Sequence, residues 1–174
     1  MFAVTERLLL RPGWIEDAAA LAAAIGDREI ACSLARVPFP YSKGDAEAFL
    51  ALPHDPLRPR FLICQRDSNR VVGGIGLDGD AEAELGYWIA RDYWGRGYAT
   101  EAGQAVMALA DGSLRLPRIT ARRATDNLRS ANVLRKLGFR STGRTSWTPS
   151  LARGLMETCV HAREREQRPQ AMAA

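Results

Sequence analysis

The chain has 174 residues, of which 47% are apolar and 25% charged, the composition of one globular domain with its own core. Its formal charge of +4 comes from a scattered excess of arginine. That excess does not indicate a nucleic-acid partner, for which we expect a clustered basic face, but it is compatible with an anionic small ligand. The three cysteines form no C-x-x-C pair, so neither a metal site nor a disulfide framework is predicted. No leader or membrane-length apolar run is present, which predicts a cytoplasmic protein without a membrane partner.

The first half of the chain predicts a strand, three helices and a run of hairpin-linked strands. Asp27 is expected to cap the second helix, and Ser42 with Asp45 forms a capping box for the third. The predicted elements are a strand at 7–11, helices at 15–25, 27–34 and 42–52, and strands at 61–64, 71–76 and 84–90, with turns at 67–69 and 78–80 between the last three.

The second half alternates helices with short strands. The predicted elements are a helix at 97–110, a strand at 119–122, a helix at 127–137 and strands at 139–143 and 157–162. Gly138 is expected to end the second of these helices. We predict one domain over residues 1–165 and a disordered tail over 166–174, where the sequence is polar and contains Pro169. The order of elements predicts an α/β (α+β) fold, a mixed sheet of about seven strands with helices on both faces.

A glycine-rich turn joins the strand at 84–90 to the helix that follows it. Residues 94–101 read Trp-Gly-Arg-Gly-Tyr-Ala-Thr-Glu. A helix that begins at glycines leaves backbone N–H groups unpaired, and with the positive end of the helix dipole these form a site for an anion such as a pyrophosphate. Gly95 and Gly97 allow close approach of the ligand, and Ala99 keeps the first turn thin. A plain strand–turn–helix connection is the alternative.

A second informative stretch covers residues 127–139. Asn127 and Ser130 are three residues apart near the start of a predicted helix, and therefore lie on one face of it. The simpler alternative makes Asn127 or Asp126 an N-cap and Ser130 a surface serine.

Together the two stretches resemble the GNAT superfamily of acyl-CoA-dependent N-acetyltransferases. The chain is most similar to the subgroup of bacterial ribosomal-protein-alanine acetyltransferases (Rim type). The similarity covers nearly the whole chain, including residues 5–12, Pro38-Phe39-Pro40-Tyr41 and Asp45-Ala46. It implies a mostly antiparallel sheet that splays between the fourth and fifth strands. It also implies transfer of the acetyl group of acetyl-CoA, the co-substrate, to a primary amine by direct attack.

The resemblance also implies which residues bind the cofactor. The loop that would hold the pyrophosphate consists of Gly95, Arg96, Gly97, Tyr98, Ala99 and Thr100, preceded by Trp94 where glutamine or arginine is usual. The strand segment Tyr87, Trp88 and Ile89 would pair its backbone with the pantetheine arm. Asn127 would contact the pantetheine region, and Asn132 would lie nearer the distal half of the cofactor.

The catalytic groups do not all match the pattern of the superfamily. Several members of the superfamily have a tyrosine that protonates the leaving thiolate seven residues after the asparagine, and here that residue is Leu134. Ser130 is the nearest replacement. Glu84 is the candidate base, acting through an ordered water; its alternative is a solvated glutamate in an acidic hairpin.

Two other classes of function compete with an acetyltransferase. An NAD-dependent oxidoreductase would need an acidic residue about 20 positions after the glycine-rich turn, where Ala121 and Arg122 lie instead. An acyl-CoA-binding sensor without catalysis is the second. The acceptor stays open among a protein N-terminus, an aminoglycoside, a polyamine and a free amino acid, because residues 30–41 and 145–154, which would line its site, carry no decisive signature. A monomer and a homodimer are both compatible with the sequence.

Overall fold

The computed structural model describes residues 1–79 and 81–165, so Asp80 of the predicted turn and the predicted tail from 166 lie outside the described residues. Within the described residues, one open sheet has eight strands in the order β1-β2-β3-β4-β5-β6-β8-β7. The strands are β1 (Ala3–Val4), β2 (Leu8–Arg11), β3 (Arg60–Gln65), β4 (Val71–Asp78), β5 (Ala83–Ile89), β6 (Arg118–Ala124), β7 (Arg140–Ser150) and β8 (Gly154–Glu164). The helices are α1 (Ala18–Ile25), α2 (Arg28–Cys32), α3 (Lys43–Leu50), α4 (Tyr98–Gly112) and α5 (Leu128–Lys136).

Helices cover both faces of the sheet, as predicted. In β3, Phe61 and Ile63 join the core under α4 and α5, whereas Leu62 and Cys64 join a smaller core under α1 and α3. Successive residues of a strand point to opposite faces, so a central strand buried on both sides has the continuous apolar run seen here. No helix among the described residues is long and apolar enough to cross a membrane.

The helix starts follow the sequence signals. Asp27 Oδ1 accepts from the N–H groups of Glu29 and Ile30 at the start of α2. Ser42 and Asp45 form the predicted capping box of α3. The N–H of Ser130 donates to Asn127 Oδ1 (3.0 Å) at the start of α5. Gly97, at the N-cap of α4, has no side chain to cap that helix, so only α4 among these four helices begins without a side-chain cap.

The sheet opens between β5 and β6. These strands are parallel and pair at only two positions, Ala83 with Ile119 and Glu84 with Thr120. On its other side β5 pairs with β4 along its whole length, from Asp78–Glu84 to Gly73–Ile89. The expected splay is confirmed; it separates the fifth and sixth strands because the short β1 adds one at the start.

The last hairpin is longer than the sequence predicts. β7 and β8 run over 140–150 and 154–164, with a bulge between Ser141 and Thr145. The prediction of 139–143 and 157–162 was too short because β7 is a polar edge strand exposed along most of its length. It therefore has no apolar alternation, and its edge position tolerates Pro149.

Candidate functional site

The loop before α4 is built to present backbone donors. Gly95 and Gly97 adopt positive φ angles of 76° and 79°, a conformation that side chains disfavour. The first helical hydrogen bond joins the N–H of Glu101 to the carbonyl of Gly97 (3.0 Å). Among residues 1–79 and 81–165, no acceptor lies within hydrogen-bond distance of the backbone N–H groups of residues 95–100. Free N–H groups at the positive end of a 15-residue helix form an anion site.

An arginine and a glutamate hold this loop in place, and sequence reasoning missed both. Arg7 Nε donates to Glu101 Oε2 (2.7 Å), and Arg7 Nη1 donates to the carbonyl of Arg96 in the loop (3.0 Å). Thr5 Oγ1 donates to Glu101 Oε1 (2.6 Å). Burial would raise the pKa of Glu101, but the hydrogen bonds from Thr5 and Arg7 outweigh it, and the pKa is lowered. The signal in the sequence was an acidic residue in the first turn of α4.

An open cavity of about 600 Å³ lies alongside the first turns of α4. Its lining includes Arg7, Gly97, Thr100, Glu101, Gln104 and Lys136. The structure therefore places two of the predicted cofactor residues, Gly97 and Thr100, in one concave surface with a lysine from α5. The cavity has the size that a bulky ligand needs, and its lining holds the cations Arg7 and Lys136 together with the carboxylates Glu6 and Glu101.

Trp94 occupies the position where the resemblance expects glutamine or arginine. Its Nε1 donates to the carbonyl of Ile89 (2.6 Å), which closes the turn over the end of β5. The guanidinium carbons of Arg91 and Arg129 lie 4.4 and 4.7 Å from the centre of the indole. Glu29 of α2 forms ion pairs with both arginines. The indole of Trp94 thus holds two arginines beside the loop by cation–π contacts. A glutamine or arginine at this position could not form such contacts.

Tyr87 and Ser130 meet at the mouth of the gap between β5 and β6. The oxygen of Tyr87 lies 2.7 Å from Ser130 Oγ and 3.3 Å from the carbonyl oxygen of Ser130. Burial raises the pKa of Tyr87 to about 12, against the opposing effects of the Ser130 hydrogen bond and of Arg123. Asn127 is therefore an N-cap, as the simpler alternative in the sequence analysis predicted. The hydrogen bond of this cap fixes the backbone of Ser130 next to Tyr87. The oxygen of Asn127 is used by the cap, while its amide N–H₂ has no partner among the described residues.

Glu84 lies on the other side of the sheet. It pairs with Asp78 of β4 and with Thr120 of β6, at the last position before β5 and β6 separate. Its carboxylate is 3.4 Å from Arg122 Nη2, and its side chain is 33% exposed. Glu84 therefore belongs to an ion pair at the edge of the gap; it is not an isolated solvated side chain.

A second cavity, of about 410 Å³, opens beside this ion pair. Arg122 and Thr120 of β6 line it together with Glu82 and residues 144–149 of β7. Arg144 has no ion-pair partner in the described part of the chain, and Trp147 is 65% exposed. The tip of the β7–β8 hairpin is fixed against the α2–α3 segment, because Ser150 Oγ donates to the carbonyl of Leu34 and the N–H of Leu151 to that of Ala35. The two segments expected to line the acceptor site are thus in contact.

The remaining predicted residues are more dispersed. The indole of Trp88 packs on the α1 side against Gly74, where an added Cβ would lie 2.6 Å from Nε1. Asn132 is exposed on α5. Cys64 is buried, Cys32 and Cys159 are partly exposed, and all three are free thiols. In residues 1–79 and 81–165 no cluster of three or more histidine, cysteine or acidic side chains could hold a metal ion.

The chain is similar in sequence to known acetyltransferases. Residues 7–140 match the model of the acetyltransferase (GNAT) domain. The uncharacterized N-acetyltransferase p20 of Bacillus licheniformis is 31% identical over 146 residues, which cover 80% of this chain and 82% of p20.

Solved structures with lower sequence identity share the fold. The ribosomal-protein-S5-alanine acetyltransferase of Vibrio fischeri superposes with a TM-score of 0.82 at 17% identity, covering 96% of this chain and 98% of that one. The ribosomal L7/L12 alpha-N-protein acetyltransferase RimL, solved in complex with coenzyme A, superposes with a TM-score of 0.81 at 19% identity, covering 94% and 98%. The family match, the splayed sheet and the uncapped α4 agree, and the chain belongs to the GNAT family of N-acetyltransferases, acyl-CoA-dependent acyltransferases.

Proposed function

We propose that the protein transfers the acetyl group of acetyl-CoA to a primary amine, with the two substrates bound on opposite sides of the gap between β5 and β6. The observation that carries this proposal is the position of the gap. On one side lies the loop at 95–100 with its free N–H groups, and on the other the polar cavity beside Glu84 and Arg122.

The residues around the gap fit acetyl-CoA. The N–H groups of the 95–100 loop would hold its pyrophosphate, with Arg91, Arg129 and Lys136 as nearby cations. Among the described residues, β5 has no strand partner beyond Glu84 on the β6 side, so the backbone of Tyr87–Ile89 can pair with an extended arm. Asn127, at the start of α5 beside Ser130, would contact the pantetheine arm through its amide, and Asn132 lies further along that helix. When bound, the cofactor supplies an activated thioester.

The protein's own groups must keep the attacking amine neutral and hold it in line. Glu84 is the candidate base, and the ion pair with Arg122 limits its direct access to the amine. We therefore propose that a water relays the proton between them. Backbone N–H groups on the free edge of β5 would stabilise negative charge that develops on the carbonyl oxygen. Much of the acceleration comes from holding both reactants in one orientation.

The acceptor is proposed as a protein N-terminus or a small amine. A cavity of about 410 Å³ accommodates a terminal residue or a small molecule. Two of the solved structures described above are acetyltransferases of ribosomal proteins, and this supports the N-terminal class without selecting it. An aminoglycoside or polyamine acceptor is the alternative within the same chemistry. A cytoplasmic location and a monomeric or homodimeric state stay predictions.

A non-catalytic acyl-CoA sensor is the second candidate, because Leu134 stands where several members of the superfamily have a tyrosine. The test is to measure acetyl-CoA binding by calorimetry and thiol release with a panel of amines: N-terminal peptides, aminoglycosides, polyamines and free amino acids. We expect binding, and thiol release that depends on one class of amine. Binding without release for any amine would favour the sensor, and no binding would refute both functions.

A further inference from the structure

The hydroxyl pair of Tyr87 and Ser130 is the feature of the gap that the family resemblance does not account for. The resemblance gives Tyr87 a role only through its backbone. In the structure its side chain reaches from β5 to α5 and ends 2.7 Å from Ser130 Oγ. We infer that Tyr87 is a positioning residue that orients the hydroxyl of Ser130 toward the sulfur of the leaving group. This inference rests on the proposed function.

The direction of the hydrogen bond follows from the chemistry of the two groups. The phenol has one proton and two acceptors within reach, Ser130 Oγ at 2.7 Å and the carbonyl oxygen of Ser130 at 3.3 Å. A phenol is a stronger acid than an aliphatic alcohol, so it donates to the nearer Oγ, and the carbonyl is the longer, secondary contact. Burial raises the pKa of Tyr87 to about 12, so the phenol keeps its proton at neutral pH. Ser130 Oγ then accepts, and its own O–H remains available, since no other acceptor for it is present among the described residues. A serine without this partner would rotate among several orientations.

Both members of the pair are held by rigid neighbours. Tyr87 lies opposite Ile75 in the continuous pairing of β4 and β5. The backbone N–H of Ser130 is fixed by the oxygen of Asn127. α5 packs closely on α4, where a Cβ added at Gly103 would lie 2.5 Å from Leu137. The distance between the hydroxyls is therefore set by a strand and a capped helix.

Arg123 is the charged group that faces the pair from β6. Its Nε donates to His161 Nε2 (3.2 Å), and its Nη1 donates to the carbonyls of Ala124 and Thr125. Burial and Arg123 both lower the pKa of His161, which therefore stays neutral and accepts this bond at neutral pH. The guanidinium is thus fixed beside the gap, and its charge favours negative charge near Tyr87.

Ser130 stabilises the departing sulfur without giving up its proton. As the amine nitrogen bonds to the acyl carbon, the carbon–sulfur bond breaks and its electron pair goes to sulfur. A thiol has a pKa near 8.5, so the thiolate is too weak a base to deprotonate either a serine or a phenol of far higher pKa. The hydroxyl of Ser130 therefore donates a hydrogen bond to the thiolate. The proton that the amine nitrogen loses on becoming an amide passes to Glu84 and solvent, and it balances the charge of the departing thiolate. The hydrogen bond from Ser130 to a negatively charged sulfur is stronger than the one to the neutral thioester. Ser130 therefore stabilises the transition state more than the bound substrate, and its loss should lower kcat.

The first test uses coenzyme A alone and needs no acceptor. The ultraviolet absorbance of the thiolate is followed against pH for coenzyme A bound to the wild type, Tyr87→Phe, Ser130→Ala and the double variant. We expect the wild type to lower the apparent pKa of the bound thiol by about one unit relative to Ser130→Ala, the size of a hydrogen bond to a charged group. Tyr87→Phe should lose most of this shift. Tyr93→Phe is the matched control, because its hydroxyl only accepts a long bond of 3.4 Å from Arg70.

The second test is a double-mutant cycle on kcat with the best acceptor. We expect Ser130→Ala to lower kcat by about tenfold and Tyr87→Phe by about threefold to tenfold, with KM for acetyl-CoA within about twofold. The double variant should match Ser130→Ala, since Tyr87 acts only through the serine. A further loss from Tyr87→Phe in the Ser130→Ala background, or an unchanged thiol pKa in both single variants, would overturn the inference. A wild type that binds no coenzyme A would instead refute the proposed function.

Discussion

The two sides of the gap between β5 and β6 are built in different ways. The side with α4 and α5 consists of helix starts: a glycine turn with free N–H groups at Gly97 and an asparagine cap at Asn127. The opposite side is a cavity walled by β6 and β7, with the hairpin tip fixed by contacts to residues 34 and 35. The first side uses the backbone of two short segments; the second uses side chains from segments far apart in the chain.

This difference explains what each side can recognise. Backbone N–H groups bind any suitably placed anion, so a loop of this kind can bind a phosphate whatever side chains it carries. The side chains of the opposite cavity combine Glu82, Arg122 and the exposed Trp147 with Arg144, which has no ion-pair partner among the described residues. Such a mixture can change with few substitutions. The α4–α5 side therefore offers recognition through the backbone, and the β6–β7 side offers recognition through side chains.

The largest expected effect is that of Gly97→Asp on the affinity for acetyl-CoA, which tests the α4–α5 side. The substitution adds a carboxylate to the anion site and a side chain at φ 79°, with Cβ 3.6 Å from Arg7 Nη2. We expect micromolar or tighter binding of acetyl-CoA by the wild type and a loss of about 100-fold in the variant, measured by calorimetry.

The control for Gly97→Asp is Gly143→Asp on β7. Gly143 also has a positive φ of 74°, and an added Cβ there has open space around it, so the same backbone strain arises outside the loop. Its affinity for acetyl-CoA should match the wild type. Equal affinities in folded Gly97→Asp and wild-type protein would remove the loop from the cofactor site.

Glu84→Gln tests the opposite side of the gap and is expected to have the next largest effect. It keeps the shape and hydrogen bonding of the side chain but removes its charge and basicity. We expect kcat/KM for the amine to fall about 10–100-fold, at the low end for a general base because a water relays the proton. The loss should shrink at high pH, where the amine is already neutral.

Glu164→Gln is the matched control, since Glu164 is an exposed carboxylate paired with Arg118 and is not among the residues that line the cavity. We expect it to change kcat/KM by less than about threefold. A loss that is the same at all pH values in Glu84→Gln would make Glu84 an anchor for the positive charge of the acceptor. If Glu84→Gln behaves like Glu164→Gln, Glu84 has no part in the reaction.

The sequence predicted most of the local structure on the α4–α5 side because its signals are local. The caps at Asp27, Ser42 and Asn127 and the turn at Gly97 each depend on residues within four positions of one another. The same reasoning missed the partner of Ser130. Tyr87 is 43 residues away and meets it only after α5 packs on the sheet. It also missed the length of β7, which is polar, exposed and bulged, and so lacks the apolar period of a buried strand.

The remaining prediction concerns how the loop is held, and its effect is the smallest. Arg7 and Thr5 keep the pKa of Glu101 below its ordinary value of 4.5 against the cost of burial. A carboxylate with a lowered pKa contributes stability that is present above that ordinary value and is lost as the pH falls below it. Arg7 is 45% exposed, so solvent weakens the pair. We expect Glu101→Gln to lower the free energy of unfolding by about 1 kcal/mol at pH 7.

The difference between wild type and Glu101→Gln should vanish as the pH falls below 4.5, measured by urea unfolding across that range. Glu47→Gln is the control, because Glu47 forms an exposed pair with Lys43 within α3 and should cost almost nothing at any pH. If Glu101→Gln also weakens acetyl-CoA binding at pH 7, then the rigidity of the loop comes from the connection between β1 and β2, which carries Thr5 and Arg7, as well as from its glycines. A difference in stability that persists at low pH would assign the effect to packing and remove the charged pair from the account. The loop on the α4–α5 side would then be held by its local backbone geometry alone. The two sides of the gap would differ more sharply, because the β6–β7 side is built from side chains of distant segments.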